Sequence, residues 1–220
     1  MIHDTSATIL EKAYVKLLAE YRRLDLPEPT VRNFGLNPGW NAVIGTGGCS
    51  GVAMSFVDNN PLYGTEETMQ DLNFLRSFVG RPLFEVASAG LDDPRIGRRS
   101  VALAALNAIS QPFVTDDMLV SKGFSVGLDI KDMVKNDDTM VIVGYGGLVK
   151  SYAGRCRELH VTDQRPPETF RTTIVGDMIT YGPAGIMVHP AGENKEVLND
   201  ADIAIITGST LVNGTFEEVV

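Results

Sequence analysis

Two glycine-bearing turns hold the residue types best suited to small-molecule chemistry in this chain. Gly144-Tyr145-Gly146-Gly147 follows the β-branched and apolar run Thr139–Val143 and precedes a helix-like stretch, Leu148–Cys156. Glycines in that position let backbone N–H groups approach a phosphate or carboxylate at the start of the helix. Asp163 stands 163 − 144 = 19 residues beyond Gly144, at the end of a second strand-like run, Glu158–Thr162. An acidic side chain there can accept hydrogen bonds from ribose hydroxyls. The third glycine of a dinucleotide fingerprint would fall at Val149, so the turn suits a nucleoside or a small acid better than a pyrophosphate. A tight turn and a solvated strand end would use the same residues, and both readings stay open.

The second turn is Gly208-Ser209-Thr210-Leu211-Val212-Asn213-Gly214-Thr215, after the apolar strand Ala201–Thr207 and before a helix beginning at Phe216. Thr215 and Glu218 have the spacing of a capping box. Capping leaves Ser209, Thr210, Asn213 and Gly214 unaccounted for, and they join the ligand-binding candidates, with Thr215. In the first half of the chain, Thr46, Gly47 and Ser50 belong to a polar hairpin, while Ser100 and Asn107 lie on an alanine-rich helix, Ile96–Ile109. An amide on an apolar helix face needs a partner, in the hairpin or in a ligand. Arg98 and Arg99 have the chemistry to hold an anion, or simply to be solvated. No base is evident beside Cys49, which reads as a turn residue. His3, His160 and His189 show no ligand spacing, and Cys49 and Cys156 form no pair, so no intrinsic metal site is expected.

The elements that must position these residues change character along the chain. Thr8–Leu24 has the three- and four-residue apolar spacing of an amphipathic helix. Val31–Leu36, Trp40–Thr46 and Val52–Phe56 read as a β-meander, covered by helices at Thr68–Phe78, Pro82–Ala89 and Ile96–Ile109. This is an α+β domain, assigned to residues 1–122. Gln111–Asp138 reads as a connector. From there the pattern becomes βαβ, with a parallel strand pair, an expected hairpin around Gly182-Pro183 joining Thr172–Val175 to Gly185–Val188, and a helix at Glu193–Asp200. An α/β domain is therefore assigned to residues 123–220.

The chain of 220 residues is 44% apolar and 21% charged, the composition of a folded protein. Its net charge of −9 argues against nucleic acid as a partner. No apolar stretch reaches the ~20 residues of a membrane span, and no signal peptide is read, so a cytoplasmic location is expected.

The two glycine turns, with the Gly97–Ser110 helix GRRSVALAALNAIS, make the chain resemble a prokaryotic family of heavy-metal chelation proteins of unknown function. The resemblance spans nearly the whole chain, and the segment GSTLVNGTFEE is its most specific part. It implies an enolase N-terminal-like domain followed by a Rossmann-like, three-layer parallel-sheet domain, with a site between them. It also implies sheet beyond Val220, so the second domain is expected to be short or incomplete, and an exposed edge makes a homodimer an expectation. The function it points to is an enzyme of condensation, hydrolysis or group transfer in cofactor or chelator metabolism. The alternative is a non-catalytic protein that binds heavy metal or a metal chelate. The ligand in either case is a small polar or heterocyclic molecule, and the sequence identifies no cofactor or catalytic residue.

Overall fold

Thr8 opens the first helix, α1 (Ile9–Arg23), through a capping box: its Oγ1 accepts the Glu11 N–H at 3.3 Å, and Glu11 Oε2 accepts the Thr8 N–H at 2.6 Å. The computed structural model describes residues 8–37, 39–55, 72–175, 178–181 and 185–220, of which 171–175 and 178–181 are described by backbone alone. These residues form two compact units. The first runs through Val126 and includes Gly208–Glu217; the second is Gly127–Thr207 with Glu218–Val220.

In the first unit, β1 (Val31–Leu36), β2 (Trp40–Gly45) and β3 (Ser50–Met54) form an antiparallel meander in the order β1-β2-β3. Alternation along β2 sends Asn41, Val43 and Gly45 inward, toward α2 (Leu83–Leu91) and α3 (Ile96–Ser110). Gly51 lets β3 lie against α3, since a Cβ there would sit 2.1 Å from the Ala104 carbonyl oxygen. Tyr21 of α1 reaches the same core, with edge-on contacts to Phe84 and Phe113 and a 3.0 Å hydrogen bond to the Ile109 carbonyl. The expected helix at Thr68–Phe78 lies partly outside the described residues; 72–76 are helical. Phe56, the end of the third expected strand, is also outside them.

The connector carries two short helices, α4 (Asp116–Ser121) and α5 (Ile130–Met133), whose N-cap side chains are Thr115 and Asp129. The second unit is then built on a parallel sheet of β4 (Thr139–Val143), β5 (Glu158–Asp163), β8 (Ile186–Pro190) and β9 (Ile203–Ile206), in the order β8-β5-β4-β9. On one face Met140, Ile142, Leu159, Val161 and Ile186 pack with Val149 and Tyr152 of α6 (Leu148–Tyr152). On the other, Val141 and Val143 pack with Val197 and Leu198 of α7 (Asn194–Asn199) and with Val219. All five residues of β4 are buried, which explains its unbroken apolar sequence.

Two expectations change. The hairpin is formed by β6 (Arg171–Val175) and β7 (Met178–Tyr181), while β8 pairs parallel with β5; Gly182-Pro183 lies outside the described residues. Burial of Ile186 against Leu159 and Val161 favours that parallel pairing over a local one. The α/β region is also not continuous over 123–220, because Gly208–Glu217 belongs to the first unit. Within that segment, α8 (Ser209–Asn213) puts Val212 fully into the first unit's core, and Glu217, in α9 (Phe216–Val219), accepts the Ile9 N–H at 2.7 Å.

Asp93 holds the start of α3, where Arg95 supplies no capping side chain. Its carboxylate accepts the Arg95 N–H and a forked pair of guanidinium bonds, and it lies 3.4 Å from Arg98 Nη1. The Arg95 side-chain hydrogen bond, foremost, lowers the Asp93 pKa to about 2 against burial. A depressed carboxylate pKa adds stability above its unfolded value and loses it as pH falls through the folded one. Urea unfolding should therefore show Asp93→Asn less stable than the parent at pH 6, with the gap closing between about pH 4 and pH 2.

Candidate functional site

The turn after β4 is built around a glycine that no other residue replaces. Gly144 has φ +96°, and a Cβ on it would meet Thr207 Cγ2 at 2.8 Å. Its N–H donates to the Thr162 carbonyl at 2.7 Å, and the Thr207 N–H donates to the Val143 carbonyl at 3.2 Å. β4 and β9 thus end side by side, in register Val143↔Ile206. Gly146 and Gly147 are different: both are exposed, with no heavy atom within 4 Å of an added Cβ. Val149, at the third fingerprint position, is fully buried beneath the sheet.

Asp163 faces this turn and ties it down. Oδ2 accepts the Tyr145 N–H at 2.7 Å and Arg165 Nη2 at 2.9 Å; Oδ1 accepts the Arg165 N–H at 2.8 Å and Nε at 2.9 Å. Burial alone raises the Asp163 pKa, but the bonds from Arg165 and Tyr145 outweigh it, and the net shift is downward. Four donors come close to filling a carboxylate's acceptor capacity. As placed, Asp163 positions the turn, whereas the sequence suggested a ribose acceptor. Arg165 Nη2 also donates to the Tyr145 carbonyl at 3.0 Å, and its guanidinium lies 4.7 Å over the Phe170 ring. Tyr145 stacks on the same ring at 4.4 Å and 19°.

The other candidates are spread through the first unit, each with a structural partner. The Asn213 side-chain oxygen accepts both the N–H and the hydroxyl of Thr215, at 3.1 and 2.8 Å. The Thr215 hydroxyl is a donor here, not the expected cap. Gly214 has φ +78° and is packed under the Arg99 guanidinium, and Ser209 and Thr210 open α8, with Thr210 buried. Ser100 is fully buried; its hydroxyl donates to the Met54 carbonyl at 2.6 Å and accepts from Asn41 Nδ2 at 3.0 Å. Asn107 Nδ2 donates to the Val52 carbonyl of β3 at 2.9 Å. Thr46 Oγ1 accepts the Thr30 N–H at 2.9 Å, Gly47 turns the hairpin at φ +74°, and the Ser50 N–H donates to Gln111 Oε1 at 3.0 Å. Burial pushes the Cys49 thiol up, away from the reactive thiolate. Arg98 is buried over Phe74, 3.6 Å from its centroid. A cavity of about 250 Å³ in this unit is lined by Thr8, Glu11, Leu91, Asp92, Asp93, Pro94 and Arg99, apart from the hairpin and from Asn107.

Sequence reading missed Arg165 and Phe170. Arg165 had a local signal, two residues after an acidic strand end; Phe170 had none. It also missed that His160 and His189 meet, with Nδ1 and Nε2 2.9 Å apart. Among the described residues, no three His, Cys, Asp or Glu side chains form a group able to hold a metal, and no helix is long and apolar enough to cross a membrane.

Comparison with known proteins adds family and fold. Residues 21–110 match the DUF4213 family and residues 127–220 the DUF364 family, both described as putative heavy-metal chelation. No curated protein matches. A DUF364-family protein of unknown function from Desulfitobacterium hafniense has a similar structure, with TM-score 0.59 and 18% identity over 94% of this chain and 72% of that one. Another, from Pyrococcus horikoshii, gives TM-score 0.61 and 19% identity over 96% of this chain and 73% of that one.

The turn's glycines should separate by substitution. Gly144→Ala combines a positive φ with a clash against Thr207, and urea unfolding should show a loss of about 1–3 kcal/mol. Gly146→Ala and Gly147→Ala should stay within about 1 kcal/mol of the parent.

Proposed function

The chain joins regions of two families, DUF4213 and DUF364, both described as putative heavy-metal chelation, and from that premise we propose that its second unit binds a small anionic metal chelate at the carboxyl edge of the parallel sheet. The observation that carries this reading is the pair of exposed glycines, Gly146 and Gly147, open to a close-approaching ligand directly after β4. Strand order supports the location. From β4 the chain moves outward through β5 to β8 and then returns to the other side of β4 as β9. The connections therefore diverge between β4 and β9, the point at which open α/β sheets take their ligands. The same order, with helices on opposite faces, supports a Rossmann-like second unit. The meander followed by α2 and α3 supports an enolase N-terminal-like first unit.

Charge favours an anionic group on the ligand. The Asp163 carboxylate is neutralised by Arg165, whose side chain is about half exposed at 54%. The Arg165 guanidinium uses Nε and Nη2 internally, and Nη1 has no hydrogen-bond partner among the described residues. A guanidinium edge beside glycine amides suits the carboxylates of a chelator better than a bare cation. Tyr145, stacked on Phe170, gives the turn a rigid wall.

Native purification followed by mass spectrometry and elemental analysis tests this directly. The expected result is a co-purifying small anion carrying metal, lost from Gly146→Val, which keeps the parent's thermal midpoint, and from Arg165→Gln, whose midpoint falls because the guanidinium bonds to Asp163 and the Tyr145 carbonyl are removed. As a defined probe, cobalt(III)–EDTA is exchange-inert and fully coordinated, so it binds only through its outer carboxylates. Calorimetry should give at least tenfold weaker binding of that probe to either variant. Protein that carries no small anion, and binds the probe equally well with and without Arg165, would defeat the reading.

A further inference from the structure

His160 and His189 lie 189 − 160 = 29 residues apart, and only the parallel pairing of β5 with β8 brings them together. His160 is in register with Met187 and Thr162 with His189, so both imidazoles sit on one face of the sheet. The ring centroids are 5.1 Å apart with 22° between the ring planes, so the rings meet edge to edge. Their facing nitrogens, Nδ1 of His160 and Nε2 of His189, are 2.9 Å apart. Each outward nitrogen meets a carboxylate: His189 Nδ1 is 2.9 Å from Glu193 Oε2, and His160 Nε2 is 3.6 Å from Glu158 Oε2. The two side chains are 18% and 23% exposed. Thr162, fully buried on the same face, has a hydroxyl oxygen with no hydrogen-bond partner among the described residues.

A neutral imidazole has one N–H and one lone pair. Glu193, as the acceptor at Nδ1, holds the His189 proton there and turns the Nε2 lone pair toward His160. The facing His160 nitrogen then carries the bridging proton. If that proton moves to His160 Nε2, toward Glu158, two lone pairs converge on one point, an arrangement only a cation stabilises. Carboxylates on the outer nitrogens are the usual means of fixing metal-binding imidazoles. Zinc–nitrogen bonds of about 2.0–2.1 Å at a tetrahedral angle put two nitrogens about 3.4 Å apart. The pair must open by roughly half an ångström, and each ring must turn its lone pair about 35° off the nitrogen–nitrogen line toward a shared tetrahedral ion.

We propose that His160 Nδ1 and His189 Nε2 form a two-nitrogen site for a borderline divalent ion such as Zn²⁺ or Cu²⁺, oriented by Glu193 and Glu158, with the Thr162 hydroxyl beside it. Metal entry transfers the bridging proton from Nδ1 to Nε2 of His160, so a neutral pair releases no proton overall. Two protein donors fall short of the three or four of a closed site. The ion therefore keeps positions open for water or for the donor atoms of a small chelator. This inference stands on β5 and β8, independently of the glycine turn.

The test uses the full chain without an affinity tag, stripped of metal, then titrated with Zn²⁺ by calorimetry in a non-coordinating buffer and with Cu²⁺ by pulsed electron paramagnetic resonance. The expected result is one equivalent per chain, with two imidazole nitrogens coupled to copper. His160→Gln and His189→Gln should each weaken Zn²⁺ binding at least tenfold and leave one coupled imidazole, Glu193→Gln should weaken it about 10- to 100-fold, and His3→Gln should change nothing. Thermal midpoints of the metal-free variants report on folding, and the nitrogen count in the parent stands without any variant. Absence of one-equivalent binding, fewer than two coupled imidazoles in the parent, or full affinity in His189→Gln would overturn the proposal. Gly146→Val should keep this binding, so a failure here is distinguishable from a failure at the glycine turn.

Discussion

A helix with no face to spare for solvent governs the first unit. Of the fifteen residues of α3, ten are buried, from Arg98 to Ile109, and they point in every direction around its axis. Such a helix needs cover on all sides. The meander supplies one through Gly51, α2 another through Gly90, and Tyr21 of α1 closes a third. The remaining cover comes from Gly208–Glu217, which explains why a segment following the last strand of the parallel sheet belongs to the unit formed by the N-terminal half. Even the buried cation fits this constraint: Arg98 satisfies its charge at Asp93 and its flat face on Phe74.

The second unit depends on a smaller fastening. A turn with a positive-φ glycine and two further glycines has much backbone entropy to lose on ordering. Asp163 offsets that cost by joining the end of β5 to the turn after β4, while Arg165 closes the ring back onto the Tyr145 carbonyl. An acidic residue at this position can therefore be read from sequence as a ligand group and still serve, in the structure, as the support of the groups beside it.

Legibility followed the range of the interactions. Thr139–Val143 and the glycine turn were evident because a fully buried parallel strand leaves a continuous apolar run, and a positive φ demands glycine. For Asn107 an apolar helix face announces only that the amide needs a partner, and the fold supplies the Val52 carbonyl of β3. What stayed hidden was pairing at long range. Ile186 and Val188 alternate as they would in a hairpin, and only their burial against Leu159 and Val161 decides otherwise. The meeting of His160 with His189 depends on that same strand partner, so no local spacing could announce it. Ser209, Thr210 and Asn213 looked like surplus polarity because the core that Val212 enters lies a hundred residues earlier in the chain.

The discontinuous first unit bears on how the chain is made. A ribosome delivers residues in order, and domains generally fold as they emerge. Here the residues that complete the cover of α3, Leu211 and Val212, follow the whole parallel sheet in synthesis. The partner of the α1 N-terminus, Glu217, comes later still, and Val219 then packs on Val141 and Val143 of the sheet. Neither unit reaches its final packing until residues 211–219 have left the exit tunnel, so both complete their cores only after the last strand of the sheet has been made.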